Sequence, residues 1–159
     1  MEITIKPAFR ERKAIQELLV EYTSMVVAED PRYEDFLALQ RFEAEVAHPE
    51  RKYCRLYLVR VDGTPAGCIA MQKLDRERCE MKRLYIRPAF RGKGIARRLV
   101  EMLLADARKD GYEAMVLDTF PFLRQAVNLY RDLGFYEIPS YNDSPVDSTI
   151  YMRKDLCPA

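Results

Sequence analysis

Apolar and polar positions change rhythm several times along this chain. Ile3 and Ile5 alternate with polar neighbours over Met1 to Lys6, the period of two expected of a strand, and Pro7 closes it. From about Phe9 to Ala28, residues Ile15, Leu18, Leu19, Tyr22 and Val26 recur at helical spacing and predict an amphipathic helix, interrupted by Pro31. A second helix is predicted over Arg32 to Ala47 on Phe36, Leu37, Leu39, Phe42 and Val46. It ends before His48-Pro49, because a residue preceding proline is disfavoured in the α region.

Strands follow at short spacing. Tyr53 to Val61 and Ala66 to Leu74 are rich in β-formers and flank Asp62-Gly63-Thr64-Pro65, so a hairpin is predicted. A polar loop, Asp75 to Arg78, leads to a third strand, Cys79 to Ile86, completing an antiparallel meander. Ile95, Leu99, Met102, Leu103 and Ala107 then mark a long helix that stops at Lys109-Asp110-Gly111, where glycine supplies a left-handed cap. Ala114 to Thr119 is a buried strand. Strand, helix, strand in that order predicts that Cys79–Ile86 and Ala114–Thr119 run parallel through a right-handed crossover. A helix from Phe122 to Leu133 and two last strands, Phe135 to Ile138 and Thr149 to Arg153, complete the pattern around a polar, proline-containing loop. The expected fold class is α/β, a mixed and mostly antiparallel sheet flanked by helices. With 159 residues, no repeats and no linker, residues 1–159 are read as a single domain.

Composition narrows the chemistry by exclusion. A net charge of +1 gives no global electrostatic case for nucleic acid or an anionic membrane surface. No apolar run approaches the roughly 20 residues of a membrane span, and the N-terminus resembles neither a signal nor a transit sequence. A cytoplasmic location is expected. Cys54, Cys68, Cys79 and Cys157 are far apart, without a C-x-x-C pair, and are read as reduced thiols. A single histidine, His48, makes a zinc site or a Ser-His-Asp triad improbable on counting alone, so no metal is expected.

Against this near-neutral background, Lys82 to Arg98 (KRLYIRPAFRGKGIARR) carries seven Lys and Arg and no acid. It reads as a strand, a proline turn, a glycine-rich loop and a helix start. At such a junction unpaired N–H groups and the positive helix end face outward together, which suits a phosphate-bearing ligand. Gly92 and Gly94 permit close approach of the backbone, while Arg91 and Lys93 add charge. The loop is not a P-loop, since no Lys-Ser/Thr pair follows the second glycine. Nor is it a dinucleotide fingerprint, because Arg97 stands where the third glycine belongs.

Arg91-Gly92-Lys93-Gly94-Ile95-Ala96 matches the pattern R/Q-x-x-G-x-G/A, and it is followed by the buried strand AMVLDT and by AVNLYRDLGF. With these elements in order, the chain from Tyr53 to Leu156 resembles the GCN5-related N-acetyltransferases (GNAT). The resemblance implies a splayed parallel strand pair, acetyl-CoA as co-substrate, and a pyrophosphate site at Arg91, Gly92, Lys93, Gly94, Ile95 and Ala96. It implies further that unpaired backbone groups of Leu84, Tyr85 and Ile86 bond the pantetheine arm and polarise the thioester carbonyl.

Two side chains are expected to carry chemistry. Glu80 stands eleven residues before Arg91, where histone-acetylating members of the resembled family place a catalytic glutamate. An attacking amine must be neutral, so a carboxylate base is sensible there; an ion pair of Glu80 with Lys82 or Arg83, with ordered water as the base, is the alternative. Tyr130, in the A-x-x-L-Y-x-x-x-G-F match, is the expected acid to the departing CoA thiolate and a contact of the cofactor. An asparagine often found seven residues earlier in the family is Leu123 here, and Asn128 does not inherit its role. For the acceptor, Tyr22, Glu29, Tyr33, Tyr141, Asn142 and Asp143 are candidates.

The expected function is transfer of acetyl from acetyl-CoA to a primary amine of a small molecule by direct attack in a ternary complex. A CoA-binding sensor without transferase activity, or acetylation of a protein or aminoacyl-tRNA, stays open, as does assembly into a homodimer.

Overall fold

A computed structural model describes residues 1–156, leaving Cys157 outside the described residues. The chain runs β1 (Ile3–Pro7), α1 (Arg12–Glu29), α2 (Tyr33–Leu39), α3 (Phe42–Ala47), α4 (Pro49–Lys52), β2 (Arg55–Val61), β3 (Thr64–Lys73), β4 (Arg78–Ile86), a 3₁₀ turn (Pro88–Phe90), α5 (Ile95–Lys109), β5 (Ala114–Thr119), α6 (Arg124–Asp132), β6 (Tyr136–Ile138) and β7 (Ile150–Asp155). The strands form one sheet in the order β1-β2-β3-β4-β5-β7-β6. Every neighbouring pair is antiparallel except β4 and β5, which are parallel. The expected mixed sheet is therefore present, with β7 inserted between β5 and β6.

Side chains of successive strand residues point to opposite faces, and both faces of this sheet are covered. Val59, Ile69, Met71, Cys79, Met115 and Leu117 pack on the α5 side with Leu99, Leu103 and Ala107. Leu56, Leu58, Cys68 and Ala70 pack on the other side with Ile15, Leu18 and Leu19 of α1. Near the end of α1, Val26 joins Tyr33, Phe36, Leu37, Phe120 and Val146 in a third cluster, which seats α2 beside the end of β5.

The alternation slips at two places, between β2 and β3 at Val59/Arg60 and within β4, and the failure in β4 makes the site. Ala70 pairs with Lys82 but Cys68 pairs with Tyr85, so two β4 residues, Arg83 and Leu84, stand opposite Ile69 alone. Arg83 is left-handed, with φ 59°. This is a β-bulge, and it bends the strand carrying it. Before it the odd-numbered Cys79 and Met81 face α5; after it Tyr85 faces α1 and Ile86 faces α5. Gly67 of β3 accommodates the bend, since a methyl added there would overlap the Tyr85 carbonyl oxygen. On its other side β4 pairs with β5 only from Arg78–Ala114 to Glu80–Val116. From Met81 onward the two strands diverge, the splay implied by the resemblance.

The helix expected over Arg32–Ala47 is broken at Gln40–Arg41, where Arg41 has φ 56°. The break follows from the bulge. Arg83 is buried and donates to Tyr33 Oη (2.7 Å), Gln40 Oε1 (3.0 Å) and both oxygens of Glu45 (2.8 and 2.9 Å). One straight helix cannot bring all three residues onto a single guanidinium; two short helices joined by a left-handed residue do. Lys52 Nζ, at the end of α4, completes the cluster on Glu45 at 2.8 Å. Burial raises the Glu45 carboxyl, but Arg83 and Lys52 outweigh it and hold the group down at about 2.

Because the folded Glu45 titrates near 2, below the ordinary value of 4.5, it contributes stability above pH 4.5 that is lost as pH falls toward 2. Glu45→Gln should lower urea stability at neutral pH by about 3 kcal/mol, the scale for breaking a buried pair. The gap between variant and wild type should narrow as denaturation is measured at successively lower pH.

Candidate active site

A cavity of about 660 Å³ opens where β4 and β5 part, within the usual size range of small-molecule sites. Its floor is the end of β4, Leu84 to Ile86. One wall is the glycine loop and the start of α5, a second is α6 from Arg124 to Tyr130, and the third is α1 through Tyr22, Met25 and Glu29. Glu21 fixes α1 against the strand, accepting from Arg87 Nε at 3.0 Å, Arg87 Nη2 at 2.6 Å and Tyr85 Oη at 3.3 Å.

At the glycine loop the backbone itself faces the cavity. Gly92 and Gly94 have φ 79° and 74°, and nothing lies within 4 Å of where their side chains would be. Gly94 caps α5 without any side-chain bond to the helix N-terminus, leaving the first-turn N–H groups open to a ligand. Arg91, Gly92, Gly94, Ile95 and Ala96 all line the cavity; Lys93 is exposed and does not. Arg91 donates from Nε to the Ile86 carbonyl at 2.8 Å, which ties the loop to the strand end. Arg97 on the α5 wall and Arg124 on the α6 wall, not singled out by sequence, bring further positive charge to the cavity. Uncapped amides, an open glycine cradle and flanking arginines fit a pyrophosphate.

Tyr130 lies where the cavity meets a second, polar recess of about 20 Å³ between the diverging backbones of β4 and β5. It is 6% exposed, and its hydroxyl has no hydrogen-bond partner among the described residues. Burial, then the Asp118 carboxylate, pushes its phenol well above the ordinary range. At neutral pH it therefore holds its proton. Tyr22 lines both spaces and is raised for the same first reason.

Glu80 is at the apex of the splay and reaches neither space. It is 3% exposed, with one carboxylate oxygen taken by Gln72 Nε2 at 2.5 Å and the other by the Tyr141 hydroxyl. A base in direct contact with the acceptor needs a free oxygen on the cleft, and Glu80 has none here. The ion pair with Lys82 or Arg83 is absent too, since the Arg83 partner is Glu45. Of the acceptor candidates, Tyr22 and Glu29 line the cavity and Tyr33 the recess; Tyr141 binds Glu80, Asn142 binds Asp118, and Asp143 is exposed. Leu123 also lines the cavity, so its wall is apolar where the pattern of the resembled family implies an asparagine, and Asn128 is exposed. The residues that sequence reading missed include Met25, Phe122 and Asp118; only the placement of Asp118 at the end of the AMVLDT run was available as a signal.

A family model described as the acetyltransferase (GNAT) family matches residues 12–135. The chain belongs to that family. It is 39% identical over 126 residues to an uncharacterized N-acetyltransferase of Schizosaccharomyces pombe, covering 76% of this chain and 77% of the relative. Its fold is shared with the PaiA N-acetyltransferase of Thermoplasma acidophilum in complex with coenzyme A, at TM-score 0.72 and 18% identity over 98% of this chain and 99% of that one. A GNAT family acetyltransferase of Elizabethkingia anophelis with acetyl-CoA bound is similar at TM-score 0.68 and 21% identity, over 97% and 98% of the two chains. Among the described residues no group of His, Cys, Asp and Glu is placed to hold a metal ion, and no helix is long and apolar enough to cross a membrane.

A Cβ at position 94 forces a side chain into the left-handed region, at a cost of about 1–2 kcal/mol, and places a methyl in the amide cradle. Gly94→Ala should weaken coenzyme A binding, measured by titration calorimetry, by about tenfold while the protein stays folded.

Proposed function

We propose that this GNAT chain transfers the acetyl group of acetyl-CoA to a primary amine of a small molecule, by direct attack within a ternary complex. The observation that carries the reading is the continuity of three parts: the glycine cradle, the unpaired end of β4, and Tyr130 where the two strands part. The amides at Gly92 to Ala96, with Arg91, Arg97 and Arg124, hold the pyrophosphate. The backbone of Leu84 to Ile86 that β5 leaves unpaired, apart from the Ile86 carbonyl held by Arg91, bonds the pantetheine arm as an added strand would, and an N–H from this edge polarises the thioester carbonyl. Preorganised donors of that kind contribute about 3–4 kcal/mol each.

Tyr130 is the acid that protonates the departing thiolate. Its raised pKa keeps the proton on the phenol, and its position between cavity and recess supports this role. Glu80 serves the reaction at one remove, by holding Tyr141 on the acceptor side of the sheet, and is a positioning residue. The far end of the cavity, walled by Tyr22, Met25, Phe122 and Leu123, favours an acceptor with an apolar or aromatic body.

Incubation with acetyl-CoA and a panel of primary amines, read by mass spectrometry and by release of free thiol, should yield acetylated product. CoA binding without product from any amine would overturn the reading in favour of a sensor. Tyr130→Phe should lower kcat by about 10²-fold while leaving the dissociation constant of acetyl-CoA unchanged, and Tyr22→Phe should not reproduce that loss. Glu80→Gln should lower kcat by less than about tenfold and keep the acid limb of the pH profile, as expected if its part is positioning rather than proton transfer.

A further inference from the structure

Asp118 occupies the last stretch of β5, beyond the point where pairing with β4 ends, and it faces the same side of the sheet as α1. It lines the polar recess together with Tyr22, Tyr33 and Tyr130, and two of these also line the large cavity. One of its oxygens, Oδ2, accepts from Asn142 Nδ2 at 2.8 Å. The orientation of that amide is set in turn by the Tyr151 hydroxyl, which donates to Asn142 Oδ1 at 2.7 Å. The second oxygen, Oδ1, has no partner, and Asp118 forms no ion pair among the described residues. The molecule therefore holds a half-buried carboxylate aimed by a two-residue chain of hydrogen bonds, with one oxygen free, beside the phenol proposed as the acid.

We propose that Asp118 receives the ammonium group of the acceptor on Oδ1 and takes its first proton, the part expected of Glu80 from its spacing. This rests on the transfer reading above and names the group that makes the nitrogen nucleophilic. A carboxylate without a direct ion pair in a partly dry recess attracts a cation, so the acceptor enters charged. One N–H proton passes to Asp118, and the nitrogen lone pair adds to the thioester carbonyl carbon. The C–S bond then breaks as Tyr130 gives its proton to sulfur. A second N–H proton returns to Tyr130, and the proton on Asp118 leaves through the recess, whose volume of about 20 Å³ suffices for a water molecule. The products are one amide, one CoA thiol and one proton.

The groups facing Asp118 are Tyr22 of α1, Tyr33 of α2, Lys82 and Arg83 of β4, Tyr130 of α6, Tyr141 of the β6–β7 connection, and Tyr151 of β7. Arg83 is neutralised by Glu45. Lys82 adds positive charge at the rim of the recess.

The test uses the full chain, acetyl-CoA and two amines, strongly basic 2-phenylethylamine and weakly basic 2,2,2-trifluoroethylamine, which is largely neutral at pH 7. Asp118→Asn should lower kcat/KM for 2-phenylethylamine by about 10²-fold and for trifluoroethylamine by less than about fivefold, with acetyl-CoA binding unchanged. Its deficit on 2-phenylethylamine should shrink as pH rises. Equal losses on both amines, or wild-type rates on both, would overturn the assignment while leaving acetyl transfer intact. Failure of the wild type on both amines and on the wider panel would overturn the two readings together. Should Asp118→Asn not fold, Asn142→Ala, which removes the hydrogen bond on Oδ2 that aims Oδ1, replaces it: a loss of at least fivefold confined to 2-phenylethylamine supports the proposal, and equal losses on both amines overturn it.

Discussion

The arrangement of this protein turns on one buried guanidinium. Arg83 sits in a left-handed bulge of β4, where its side chain can no longer follow the pleat, and Glu45, Gln40 and Tyr33 close around it. A charge so deeply enclosed is tolerable only with its partners in place, so the bulge, the break between α2 and α3 and the seating of both helices hold one another. The bulge also bends β4 away from β5. The opening that accepts the donor is thus the far side of a structural ion pair, and α1 is carried along with it, pinned by Arg87 and Glu21 at the strand's end.

The elements governed by local rules were legible in the sequence. The spacing of Ile95, Leu99, Leu103 and Ala107 marked α5, Asp62-Gly63 marked the β2–β3 turn, and the two glycines before α5 marked an open loop, with Gly92 and Gly94 at positive φ. Features set by distant partners were not. Phe36 to Val46 keeps a continuous apolar rhythm, and nothing in it reveals that residue 83 requires a corner at Arg41. The bulge was equally hidden, because LYI at the end of β4 reads the same in either phase of the alternation.

The same distinction separates the candidate site residues. Tyr130 was identified by a motif on a single helix, and the helix placed it on the cleft. Glu80 was identified by its distance along the chain from Arg91, which says nothing about Gln72 on β3 or Tyr141 on the β6–β7 connection, the groups that fill its coordination. Asp118 drew no notice because an acid near the end of a short strand usually faces water. Its meaning depends on where β4 stops pairing and on an asparagine 24 residues later.

The splay also gives the sheet a third edge. Besides β1 and β6 at its rims, the sheet carries unpaired backbone in its interior, along β4 beyond Glu80 and β5 beyond Val116. Exposed edges invite pairing with foreign strands; this one is recessed between α1 and α6, where only something as thin as an extended chain can enter. On the reading proposed above, a bound donor acts as a removable strand, closing the sheet when it arrives and reopening it when it leaves. Amide hydrogen exchange along Leu84 to Ile86 would then report occupancy of the cleft directly, with no need to know the acceptor.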